Sequence, residues 1–100
     1  MSFTDWRMRR IVGRVDRFID SYDPYGRMDA MMDVPPEDQH ACGCEYLMDR
    51  ARSEGLAYAE ELRRDAAFYR GEKVGRRAIR DHIALAKLIE KEEKRKRRRR

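Results

Sequence analysis

Cysteine is almost absent from this 100-residue chain, which has only Cys42 and Cys44. Two cysteines make neither a disulfide scaffold nor a four-cysteine zinc site. Serine and histidine are as scarce, with Ser2, Ser21 and Ser53 and with His40 and His82. Nucleophilic catalysis needs a nucleophile, a base and an orienting group held together. None of the three serines sits in a recognisable nucleophile turn. The glycines at 71 and 75 lack the spacing of a phosphate-binding loop. These absences predict a protein that is not an enzyme and carries no cofactor.

Long apolar runs are also missing. Nothing approaches the roughly 18–20 residues that cross a bilayer, so no membrane partner is expected. Met1-Ser2-Phe3-Thr4-Asp5-Trp6 lacks the basic start and apolar core of a signal peptide. The expected location is intracellular: cytoplasmic, or nuclear in a eukaryotic cell. No sustained alternation of β-branched residues signals a strand, and no internal repeat is visible.

What the chain does have is charge. Charged residues make up 43% and hydrophobic ones 41%, and the formal net charge is +5. The apolar share is enough for one small core and argues against general disorder. The charge is unevenly placed. Residues 1–35 carry six Arg against six Asp, and residues 36–70 carry five Arg against eight acids. Residues 71–100 carry thirteen Lys or Arg against five acids. The chain closes on Lys94-Arg95-Lys96-Arg97-Arg98-Arg99-Arg100, whose mutual repulsion predicts a frayed tail. The expected organisation is one domain over residues 1–93 and a polybasic tail over 94–100.

Periodicity predicts three helices. Ile11, Val12, Val15, Phe18, Ile19 and Tyr22 define one face of a helix over residues 4–21, capped by Ser2 or Thr4. Asp23-Pro24-Tyr25-Gly26 ends it. Met28, Met31 and Met32 fit a short helical turn that Pro35-Pro36 closes. From Pro36 to about residue 70, Ala41, Cys44, Met48, Ala51, Gly55, Tyr58, Leu62, Ala66 and Tyr69 form one seam. As one helix this segment would be about 50 Å long, with Gly55 as the place for a break or kink. Gly71 is the expected C-terminal cap. A third helix from residue 74 to at least 91 buries Val74, Ala78, Ile79, His82, Leu85, Ala86 and Ile89. The fold class is therefore all-α: a three-helix assembly with a long central helix, a helical hairpin and a basic C-terminal tail.

Four constellations bear on function. At about 100° per residue, Arg76, Arg77, Arg80, Lys87, Lys91 and Lys94 fall opposite the apolar stripe of the third helix. They lead into Arg95, Lys96, Arg97 and Arg98, a run that also resembles a nuclear import tag. Cations at helical spacing are what a phosphate-tracking surface needs; an ordinary solvated face has the same pattern. On the first helix Arg7, Arg10, Arg14 and Arg17 share a flank with Phe3 and Trp6. That flank either grips phosphates and stacks on bases, or folds its aromatics onto the core. Tyr46, Arg50, Ala57, Arg64 and Phe68 form a second stripe on the long helix, of the composition that partner surfaces favour. A central helix packed on two neighbours would bury that stripe. Finally, His40, Cys42 and Cys44 could join His82 around zinc only if Cys42 lies on a non-helical turn; burial of Cys44 with surface placement of His40 is the plainer reading.

These features predict a small protein that binds nucleic acid or a nucleoprotein through its basic C-terminal helix and tail. Residues 62–83 also fit a helix-turn-helix loosely. The alternative is a phage-type inhibitor or adaptor, anti-CRISPR-like in size and charge, that docks on a host protein complex. A homo-oligomer built on the long helix is the third option.

Overall fold

A computed structural model of the protein describes residues 3–23, 25 and 43–98. The expected methionine turn at residues 27–34, the Pro35-Pro36 stop, His40, Cys42, Arg99 and Arg100 lie outside the described residues. The described elements are α1 (Phe3–Tyr22), α2 (Gly43–Glu54), α3 (Leu56–Gly71) and α4 (Arg76–Arg98), and no strand occurs among them. The all-α class therefore holds, while the long central helix does not.

Gly55 divides that segment. It adopts φ 56° and ψ −121°, the conformation of the first central residue of a type II′ turn. Side chains are disfavoured there, and glycine is not. The break turns an extended rod into two helices. Of these, α3 pairs with α4, while α2 packs against α1. The α1 helix also lies against α4. Tyr69 meets His82, and Arg63 meets Glu90 further along. Gly55 meets Glu93 at the far end. Such pairing along the whole length makes α3 and α4 an antiparallel hairpin. It is not the near-perpendicular crossing of a helix-turn-helix.

Periodic apolar residues from every helix meet in one core. Ile11, Val12 and Val15 of α1 join Leu47, Met48 and Ala51 of α2, with Tyr58 and Leu62 of α3 and Leu85 and Ile89 of α4. Truncating a fully buried leucine such as Leu62 to alanine costs about 2–5 kcal/mol. Met48, Ala51, Tyr58 and Leu62 of the seam on α2 and α3 are thus covered by the chain's own helices.

Three ends differ from expectation. The first helix begins at Phe3, so Thr4 lies in its first turn and is not its cap. After α3, the Val74 N–H donates to Tyr69 O and the Lys73 N–H to Arg70 O, both at 3.3 Å. This is the double bond pattern of a Schellman cap. Its left-handed residue is Lys73, at φ 59°, and Gly71 closes the helix proper. The third difference is at the C-terminus. The last helix starts at Arg76 and continues through Arg98, so residues 94–98 are helical.

Candidate binding groove

Arginine does two different jobs in this molecule. One set ties the helices together. Arg9 binds Glu45 at 2.6 Å across α1 and α2, and Arg14 binds Asp81 at 3.1 Å across α1 and α4. Arg63 donates twice to Glu90 across α3 and α4, at 2.9 and 2.8 Å. Arg50 bridges the Gly55 break. It reaches Glu54 on α2 and Glu61 on α3, each at 2.7 Å, and its guanidinium lies 4.4 Å from the Tyr58 ring centre. The Arg50 bond holds the Glu54 carboxyl below the usual range. The Arg63 bond does the same for Glu90.

The second set surrounds a groove of about 760 Å³. Its rim carries Arg7 of α1, Arg70 of α3, and Arg76, Arg80, Lys87 and Lys91 of α4. All six are exposed. None of them forms an ion pair with a carboxylate among the described residues. The floor is aliphatic, made by Ile11, Ile79, Ile83, Ala84 and Leu88. Ile11 and Leu88 are buried at the bottom, and Ile79, Ile83 and Ala84 are half-buried. No carboxylate lines the groove. The acids next to lining residues on α4 are engaged elsewhere: Asp81 by Arg14, Glu90 by Arg63 and Glu92 by Arg95. Concentrated positive charge over an apolar floor attracts anions and can bury hydrocarbon as well.

Five of the predicted cations thus converge: Arg7, Arg76, Arg80, Lys87 and Lys91. Eight others do not. Arg77 lines a smaller depression of about 420 Å³ beside Arg14, Arg17 and Phe18. Arg14 is engaged there by the buried Asp81. Arg10 stands 5.2 Å over the Trp6 ring, which is 49% exposed and has not folded onto the core. Lys94, Arg95, Lys96, Arg97 and Arg98 are exposed on the last turns of α4. Arg95 and Lys96 reach back to Glu92 and Glu93, at 3.1 and 3.4 Å.

The expected Tyr46–Phe68 stripe is split by the break at Gly55. Tyr46 is half-buried against the core, and Arg50 is engaged by two carboxylates. Arg64 and Phe68 stay exposed on α3. Sequence reasoning missed Arg70, Ile83 and Leu88. The last two were visible as apolar residues beside an already complete core stripe, which is a mark of a second apolar face.

His82 is fully buried, with its ring edge-on to Phe18 and Tyr69. Its Nδ1 lies 2.8 Å from Ala78 O. A carbonyl only accepts, so Nδ1 carries the proton. Cys44 lies beside α1, with Sγ 4.0 Å from Asp16. Among the described residues, no group of three His, Cys, Asp or Glu could hold a metal. No described helix is long and apolar enough to cross a membrane.

No protein family, curated protein or solved structure matches this chain.

Proposed function

We propose that the chain is a small, non-enzymatic nucleic-acid- or nucleoprotein-binding protein that makes its contact through the C-terminal half of α4. One observation carries the reading. After Ile89 the sequence has no apolar residue, yet the helix continues, and Lys87, Lys91, Lys94 and Arg98 recur at steps of four, three and four. Cations at that spacing form one exposed stripe, which suits a line of phosphates. Arg95 and Arg97 flank it. The pairs of Arg95 with Glu92 and of Lys96 with Glu93 are exposed and weak, so phosphate can displace them.

The test is fluorescence anisotropy with labelled single- and double-stranded DNA and RNA across a salt series. The full chain is compared with one ending at Glu93, which keeps every buried described residue. Binding at micromolar Kd or tighter, weakening with salt and lost on truncation, is expected. No binding at moderate salt overturns the reading, and so does binding that truncation leaves unchanged.

A second reading, an adaptor or inhibitor that docks on a host protein complex, is favoured by the apolar floor of the groove. A phosphate backbone has no use for that floor.

A further inference from the structure

The last helix carries two kinds of chemistry in succession. Its last two and a half turns, from Glu90 to Arg98, are purely ionic. Its first four turns set cations around four aliphatic residues, with Ile11 of α1 beside them. A duplex backbone offers phosphates but little hydrocarbon to bury. Exposed bases do offer flat apolar faces, but protein platforms for bases are aromatic, and no aromatic residue lines this groove. An occupant that uses all of the groove must present aliphatic side chains between carboxylates.

We propose that the groove docks an acidic amphipathic helix from a protein partner. Charge complementarity selects the flanks of that helix, because six exposed cations surround the groove and no carboxylate lines it. The floor of Ile79, Ile83 and Leu88 selects its ridge, as apolar anchors at i, i+3/i+4 and i+7 do in helix-in-groove recognition. Arg76 to Lys91 spans about 22 Å of helix, so the occupant is about fifteen residues, or four turns. The groove has cations from three helices: Arg7 on α1, Arg70 at the end of α3, and four on α4. A docked helix would meet Glu or Asp partners on more than one side. The proposal goes beyond nucleic-acid binding and does not depend on it, because the floor and Arg7, Arg70, Arg76 and Arg80 lie apart from the last turns of α4.

The experiment uses the full chain and a panel of synthetic eighteen-residue helical peptides with Leu, Ile or Phe ridges flanked by Glu. Controls are a scrambled peptide of the same composition and a peptide with Lys in place of Glu. Methyl NMR spectra and anisotropy read binding. At least one patterned peptide should move the Ile79, Ile83 and Leu88 methyl resonances and bind tenfold or more tightly than its scramble. Ile83→Asp should abolish binding. Arg80→Glu and Lys87→Glu, at exposed positions that leave the fold intact, should each weaken it tenfold or more. A chain with Lys94, Lys96, Arg97 and Arg98 replaced by Gln should keep the peptide while losing the oligonucleotide, so failure of either reading is seen separately. Equal affinity for scrambled and patterned peptides overturns the proposal, as does silence of the floor methyls at millimolar peptide. An oligonucleotide that moves the same methyls and displaces the peptide assigns the groove to nucleic acid instead.

Discussion

The Nε of Arg14 on α1 donates to Oδ1 of Asp81 on α4 at 3.1 Å, and the Asp81 side chain is only 10% exposed. The two residues are 67 positions apart in the chain. A carboxylate this buried needs its partner. Arg14→Ala should lower stability by about 1.5–3 kcal/mol, the range for a hydrogen bond between charged groups. The residue was among the expected phosphate contacts, so the variant also separates the two roles. Urea denaturation should show the loss, and oligonucleotide affinity of the folded fraction should stay the same.

Gly55 is the joint between α2 and α3. A β-carbon there would sit 2.8 Å from Glu93 Oε1, but that contact ends a flexible side chain and can give way. The backbone cannot, because φ is 56°. Gly55→Ala should cost about 1–3 kcal/mol. Replacing Glu93 by Ala in the same chain should recover little of it, and a thermal melt of both variants checks this.

Lys73 occupies the left-handed position of the cap after α3, where glycine is usual. Lys73→Gly should raise stability by about 1 kcal/mol by removing the clash of its β-carbon. Lys73→Val should do the reverse. The Tm of each variant decides, and because Lys73 does not line the groove, binding should not change.

Acid stability should follow two opposed groups. Burial pushes the Asp65 carboxyl up, with Glu61 adding to the shift. A raised carboxylate favours the folded state only while it is protonated. Its contribution is present at low pH and is lost as pH rises through the raised value. Asp65→Asn should therefore gain Tm over the native chain at pH 7, and the gain should close towards pH 3. Glu54 and Glu90 are pulled down by Arg50 and Arg63. Their contribution is present above the ordinary glutamate range and is lost as pH falls through the lowered values. Arg63→Gln should thus flatten the acid side of the stability curve, measured by urea titration from pH 6 to pH 2.

The helices, most of the core and the cationic stripe of α4 were legible in the sequence, because each is a local pattern. A step of three or four residues places Val12, Met48, Leu62 or Ile89 on a buried face whatever the neighbouring helix turns out to be. The break at Gly55 was legible only as a place. Whether a glycine bends a helix or rides within it depends on what the flanking helices gain by turning. Here that gain is the packing of α2 on α1 and of α3 on α4. At the end of α3 the local signal misled. Gly71 suggested the cap, but it is the last residue of the helix, the chain reverses two residues later, and Lys73 takes the strained position.

What the sequence by itself determined is the all-α class, the positions that avoid water and the surplus of positive charge near the C-terminus. These follow from periodicity and composition. The tertiary structure alone decided which cations serve the fold and which serve a surface. Arg9, Arg14, Arg50 and Arg63 are spent on carboxylates, three of them 27 to 67 positions away. Arg7, Arg70, Arg76 and Arg80 gather around Ile79 and Ile83 without one. The residue type is the same in both sets. The difference lies in which acids folding brings within reach, and ion pairing between distant segments leaves no local pattern in the chain.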